Sequence, residues 1–450
     1  MTVPAAFAAG AHYDALLQAA LRRFFFRAIL ETQSVASLSS SGRLSMDPTS
    51  DPSALAVRWF GARHVLRVPE QQPFTLHEVR LARAIGAVLS ARYHALFEPH
   101  VMTDRPELFQ GAIEDRYVGA FLDSATYATQ QGSSRADRIA SAIEVLRVAA
   151  LSSYENRPIS SGLLLLDADD DPCRPGVLPP WTLPYAQHLT SVKAFYRLCD
   201  GTSTLFLVAR DGRLLSTVDV ARWAHQLKGA SQLSVPCTRA YMAHARATQG
   251  TRHVCVVLSP SHEIKVFAEG AQVFSFRNAQ WHLIDLEARY EQWAAAVGNR
   301  VVAERLFQAA LDLADARHGA LFVVLREPDQ AMDQLILPGD RLLDSTGTTT
   351  RRTLRRELLS LLAASDVLSL DLNVLEALAC MDGATVLDRD GRVLAAGAIL
   401  RHPPGDGGGA ERVEGARTTA ALTASRYGPV LKVSEDGLIS FFDGDRHWEF

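Results

Sequence analysis

Apolar positions recur at two periods along this chain, and the alternation between the periods lays out its elements. Residues 55–68 hold Val57, Trp59, Val65 and Val68 in short apolar runs that predict one or two strands. Thr75 and Glu78 make a capping box, with Phe74 and Val79 as a hydrophobic staple. The helix they open sets Leu81, Ile85, Val88 and Leu89 on one face. These elements predict a small α/β domain over residues 1–130. Residues 129–137, with Gln130, Gln131, Gly132, Ser133 and Ser134, read as a linker.

The remaining pattern occurs twice. An amphipathic helix is predicted over 139–151 and again over 303–316, where Leu306, Ala310 and Leu313 share a face. Gly162 opens the apolar run 163–166, and Gly319 opens 320–325. Asp200-Gly201 then parallels Asp382-Gly383, and the hairpin signal Asp211-Gly212 parallels Asp390-Gly391. Arg239 parallels Arg417, and Ser259 parallels Ser434. The interval from Asp211 to Arg239 is 28 residues and that from Asp390 to Arg417 is 27. This agreement predicts a duplication over 138–290 and 300–450. Helices alternating with short strands, many joined as hairpins, predict an α/β fold in which each copy is a mixed sheet flanked by helices.

Length and composition narrow the class. A chain of 450 residues exceeds one ordinary core, so two or three domains are expected. Apolar content of 48% and charged content of 21% are those of a globular protein. The net charge of −4 supplies no basic field, so no nucleic-acid partner is expected. Five scattered cysteines lack C-x-x-C spacing, which speaks against a disulfide framework and fits a reducing cytoplasm. The first ten residues do not form a signal peptide, and no apolar run reaches the ~20 residues of a membrane span. Fourteen histidines show no ligand spacing, and no G-x-S-x-G elbow occurs. The basic patch Arg351, Arg352, Arg355 and Arg356 reads as a solvated helix face. The Gly-rich stretch 405–409 fits neither a P-loop nor a dinucleotide fingerprint.

The candidate chemistry lies in the last seventy residues. Asp382 precedes a strand beside Gly383, where a carboxylate could bind a divalent metal or activate a hydroxyl. Gly415-Ala416-Arg417-Thr418-Thr419 opens a helix, whose first N–H groups attract phosphate. Arg417 adds a planar donor, and both threonines add hydroxyls. Ser434-Glu435-Asp436-Gly437 is an acidic turn after an apolar run, and Glu435 could complete a metal site with Asp382. Each segment has a plain alternative: an Asp-Gly turn, threonine capping with a surface arginine, and a solvated turn carboxylate.

Taken in order, Asp382-Gly383-Ala384, Gly415 to Ala421 and Ser434-Glu435-Asp436 resemble the D-G-A, G-T-R-H-R-A-A and S-E-E motifs of the diadenylate cyclase (DAC) domain family. The resemblance spans roughly residues 300–445. It implies two tandem DAC-like domains, the first degenerate, and the strand-and-helix order of 1–130 resembles sensor domains such as GAF. It further implies an enzyme that condenses two ATP molecules into cyclic di-AMP with Mg²⁺ or Mn²⁺ on Asp382 and Glu435. Gly383, Ala384, Gly415, Thr418, Thr419 and Ser434 would line the nucleotide, and Arg417 would hold phosphates. The reaction needs two facing sites, hence a homo-oligomer or an internal pseudo-dimer. Thr418 and Thr419 replace the family's His and second Arg, so the alternative is an inactive DAC-like module that senses a nucleotide or cyclic dinucleotide.

Overall fold

The computed structural model describes residues 3–25, 28–34, 44–47, 49–68, 73–97, 104–123, 134–167, 183–227, 232–342, 365–401, 415–444 and 446–450. The arginine patch at 351–356, the Gly-rich stretch 405–409 and most of the 129–137 linker lie outside them. The chain forms two compact units, 1–233 with 241–285, and 234–240 with 286–450. Among the described residues no helix is long and apolar enough to cross a membrane.

In the first unit, strands β1 (Ile29–Ser34), β2 (Ser45–Asp47), β3 (Ala54–Trp59) and β4 (Ala62–Arg67) form an antiparallel sheet ordered β1-β4-β3-β2. The β3–β4 turn carries Phe60 at φ 45° and Gly61 at φ 81°, the left-handed pair that a two-residue hairpin requires. Both capping-box bonds are made: the Thr75 amide donates to Glu78 Oε2 at 2.8 Å, and the Glu78 amide donates to Thr75 Oγ1 at 3.1 Å. Helix Leu76–Phe97 buries Leu81, Ile85, Val88 and Leu89 completely.

The end of the expected linker is instead a helix start. Ser134 caps helix Arg135–Ala150, and its N3 residue Asp137 closes the capping box. Asp137 is fully buried and accepts from Arg105 at 2.8 Å and Arg116 at 3.2 Å. Polar composition suggested solvent; two guanidinium groups make burial of this carboxylate tolerable. One continuous apolar core runs from Tyr13 to Trp281, so stretches 1–130 and 138–285 share it, apart from residues 234–240.

A two-residue ladder, β5 (Ser153–Tyr154) with β6 (Arg157–Pro158), precedes the large sheet of this unit. That sheet contains β7 (Ser161–Leu165), β8 (Thr204–Val208), β9 (Leu214–Asp219), β10 (Val254–Leu258), β11 (Ile264–Ala268), β12 (Ala271–Arg277) and β13 (Gln280–Leu283), ordered β13-β12-β11-β10-β7-β8-β9. The second unit contains β14 (Ala320–Leu325), β15 (Ala384–Asp388), β16 (Val393–Ala398), β17 (Val430–Val433), β18 (Ile439–Asp443) and β19 (Arg446–Glu449), ordered β16-β15-β14-β17-β18-β19. Removing β13 leaves the same order in both. The directions also agree: β7 with β8 and β14 with β15 are parallel, and all other pairs are antiparallel. Mixed sheets flanked by helices therefore define an α/β protein of more than one domain.

The register corrects two of the sequence parallels. Phe322 pairs with Thr385 in the second unit, as Leu163 pairs with Phe206 in the first. Counting back from the pair, the counterpart of Asp382 is Ser203, not Asp200. Asp200 lies three residues earlier, where its Oδ1 accepts the amides of Thr202, Ser203 and Thr204 at 2.8–2.9 Å and closes a turn. Counted back from β10 and β17, Arg417 falls opposite the Tyr241–Met242 start of helix Met242–Thr248, not opposite Arg239. Arg239 belongs to the second unit, where it donates to Asp312 at 2.7 Å, Asn373 at 3.0 Å and Glu376 at 2.6 Å.

Candidate functional site

Three of the predicted segments reach one end of the second unit's sheet because of strand register. Ala320 pairs with Val433 across β14 and β17, and Phe322 pairs with Thr385 across β14 and β15. Just outside these strands lie Gly319, Ser434 and Gly383, with Asp382 one residue further out, on three neighbouring strands. Adjacent strands lie about 4.8 Å apart, so the three chain ends span roughly two strand spacings. All six residues of β14 are buried, because helices cover both faces. Leu321, Val323 and Leu325 share a core with Ala421 and Ala424 of helix Ala416–Ala424. Successive strand residues alternate faces, so Ala320, Phe322 and Val324 point the other way.

Helix Ala416–Ala424 delivers the arginine. Its N-cap is Gly415, at φ 91°, a conformation that favours glycine. The Arg417 guanidinium lies directly over Gly319: a Cβ built there would stand 1.9 Å from Nη1. Arg417 Nη1 also donates to Glu435 Oε1 at 3.0 Å. Glu435 is 73% exposed and Arg417 is 37% exposed at their side chains, so a competing anion has access to the pair. Arg417 is also close enough to Cys380, two residues before Asp382, to oppose the upward shift that burial and Glu376 impose on that thiol.

The two threonines take different roles. Lys432 Nζ donates to Thr418 Oγ1 at 3.1 Å. Thr419 Oγ1 turns back to donate to the Gly415 carbonyl at 3.4 Å. Lys432 is buried to 9% exposure within β17 and pairs with Leu321, which sets it on the face covered by helix Ala416–Ala424. Its ammonium also stands 5.9 Å from the Phe442 ring centroid. Sequence reasoning missed this residue as part of the site. The available signal was a lysine inside a short apolar strand, in a chain with only four lysines.

Asp382 is exposed, and no described residue bonds its carboxylate. Gly383 adopts φ 105°, and a Cβ there would meet the Ala398 carbonyl at 2.5 Å. Its glycine is thus required by the close approach of β16. The Ala384 methyl is 1% exposed and belongs to the core. The Ser434 hydroxyl is occupied within its own turn, by Asp436 and by the Leu438 amide. Arg317 fastens that turn by donating to the Asp436 carbonyl.

Asp382 and Glu435 are hard oxygen donors of the type that Mg²⁺ and Mn²⁺ accept. They do not make a ready cage: Glu435 is engaged by Arg417, and among the described residues no group of three or more His, Cys, Asp and Glu comes together. The arrangement offers two cations, Arg417 and Lys432, around a helix N-terminus at the strand ends, with one exposed carboxylate beside them. That combination suits a phosphorylated ligand better than a resident metal.

No family model matches the chain. No curated protein matches it. Among solved structures, it is similar to a hypothetical membrane spanning protein from Bacillus cereus at 22% identity and TM-score 0.24, covering 36% of this chain and 74% of that one. It is also similar to a double mutant of DacA from Staphylococcus aureus at 19% identity and TM-score 0.22, covering 33% of this chain and 85% of that one.

Proposed function

We propose that the second unit is a nucleotide-binding signalling module whose phosphate contacts are Arg417, the first turn of helix Ala416–Ala424 and Thr418, backed by Lys432. The single observation that carries this reading is the convergence of the two cations. Arg417 lies over the bare backbone of Gly319, and Lys432 reaches Thr418 from the adjacent strand. A guanidinium with helix N–H groups beside it is suited to bind phosphate oxygens. The Glu435 carboxylate then acts as a stand-in anion, released when phosphate takes Arg417. Binding without turnover is the simplest form of this reading, since Thr418 and Thr419 add hydroxyls but no charge where the resembled family has His and Arg.

The cyclase reading is favoured by one feature, the exposed Asp382 carboxylate at the same end of the sheet, which no described residue bonds. In it, Mg²⁺ or Mn²⁺ arrives with ATP, Asp382 and Glu435 face the metal-nucleotide, and two ATP molecules condense to cyclic di-AMP. The two facing sites would come from two chains. The first unit's counterparts of Asp382 and Lys432 are Ser203 and Val257, and the Tyr241–Met242 helix start stands in place of Arg417; none of these binds phosphate by charge. The first sheet is thus read as a degenerate copy of the second, sharing one core with the sensor-like stretch 1–130.

Titration calorimetry of the full chain with ATP, ADP and cyclic di-AMP tests the binding reading. It expects saturable heat that disappears in Arg417→Ala. Incubation with ATP and Mn²⁺ followed by mass spectrometry for cyclic di-AMP tests the cyclase reading. The two diverge at Glu435→Gln. Removing the competing carboxylate should tighten ATP binding, whereas in the cyclase reading it should lower product formation. No heat with any of the three nucleotides would end both.

A further inference from the structure

A cavity of about 700 Å³ in the first unit takes no part in the chemistry above. It lies where the parallel pair β7 and β8 ends, beside Leu165 and Val208, the Asp211–Gly212 turn and helix Arg135–Ala150. Open α/β sheets hold ligands outside the carboxyl ends of parallel strands. The volume is within the usual range for small-molecule pockets, about 300–1,000 Å³. In the second sheet the candidate nucleotide site lies at the opposite, amino ends of the corresponding strands, so the cavity is not a copy of it.

Two half-buried side chains of opposite charge line the cavity from one helix. Arg138, Ser141 and Glu144 follow at three-residue steps, which turns them toward one side. Glu144 is pressed against Gly111: a Cβ there would stand 2.8 Å from its Oε2, and Gly111 has φ 62°. No described residue bonds or ion-pairs with Glu144. Arg138 has one long contact, with Glu107 at 3.9 Å. Asp211, by contrast, is taken by Arg213 at 2.5 Å. The cavity therefore offers the Glu144 carboxylate at one end and the Arg138 guanidinium at the other, with Glu107 beside Arg138 and its Oε2 buried without a hydrogen bond. The backbone positions of Glu144 and Arg138 are separated by about 9 Å along the helix axis. Gln110 and Gln187 add neutral donors and acceptors to the lining.

We propose that this cavity binds a small zwitterion whose charges are several bonds apart, with its ammonium on Glu144 and its carboxylate on Arg138. A dipeptide or an ω-amino acid has this chemistry; a free α-amino acid brings its charges too close together to reach both groups.

The test is calorimetric titration of the full chain with alanyl-alanine, ε-aminocaproate and glycine, alongside N-acetylated and C-amidated alanyl-alanine. Saturable binding of the dipeptide or of ε-aminocaproate is expected, and which of them binds separates the two sources. Blocking either end should weaken binding by about tenfold or more, as the loss of one charged hydrogen bond implies. Glu144→Gln and Arg138→Met should each do the same. Circular dichroism and unliganded Tm check that the variants fold, and the end-blocked ligands carry the test on wild type if they do not. The proposal is overturned if neither long zwitterion binds, if glycine binds as well as they do, or if end-blocking leaves the affinity unchanged.

Discussion

Replacing Gly319 by alanine tests the phosphate-binding reading without replacing any charged residue. The new methyl would stand 1.9 Å from Arg417 Nη1 and 2.6 Å from Cζ, where ordinary contact begins at 3.4 Å. The guanidinium must therefore retreat by roughly 1.5 Å. It is the far end of a flexible side chain, so the movement is cheap for the fold. The Arg417–Glu435 pair that it breaks is largely exposed and contributes about 0–1 kcal/mol. Alanine returns about 0.4–1 kcal/mol by restricting the unfolded chain, since Gly319 has no left-handed φ. Net stability should thus change by less than about 1 kcal/mol. Binding should respond far more, because a charge-assisted hydrogen bond is worth about 1.5–3 kcal/mol. That predicts a Kd for ATP about ten- to a hundredfold weaker, with Tm nearly unchanged. Calorimetric titration and thermal unfolding of the same two proteins make the comparison. Wild-type affinity in Gly319→Ala would remove Arg417 from the phosphate site, and a collapse in Tm would show that Gly319 is needed for packing instead.

Other outcomes follow from the same physical terms. Lys432→Met keeps the buried stem and removes the charge, so ATP binding should weaken about tenfold while denaturant unfolding shows little loss. Asp137→Ala leaves Arg105 and Arg116 buried without their shared carboxylate; urea unfolding should show a loss of about 3–5 kcal/mol. His244 is buried with its Nε2 toward the Gly201 carbonyl at 2.8 Å, and burial pulls its pKa from 6.5 down to about 4. The unfolded chain therefore takes up that proton first. The contribution is complete above about pH 6.5 and is lost as pH falls toward 4. In urea unfolding, wild type should lose stability relative to His244→Gln across that window, and parallel curves would refute the assignment.

Local rules read from the sequence carried much of the fold. The Thr75–Glu78 box, the hairpins at Asp211-Gly212 and Asp390-Gly391, and strand Ala320–Leu325 each depend on neighbours a few residues apart. Composition failed where burial overrode it. Ser134 and Asp137 look like linker residues, but long-range arginines turn them into a buried helix cap. Spacing alone also misaligned Asp200 and Arg239, because a turn of a few residues slips between landmarks and only strand pairing fixes the register.

By itself the sequence determined the alternation of helices and strands, the twofold recurrence of the pattern and the presence of Asp382, Arg417 and Glu435 at turns. These follow from periodicity and turn chemistry, which are local. Only the tertiary structure decided that Arg417 faces Glu435 across Gly319, that Lys432 reaches Thr418, and that the Ser434 hydroxyl and the Ala384 methyl are occupied within turn and core. Those relations depend on which strands lie side by side and in what register, and each joins residues too far apart in the chain for any local pattern to encode.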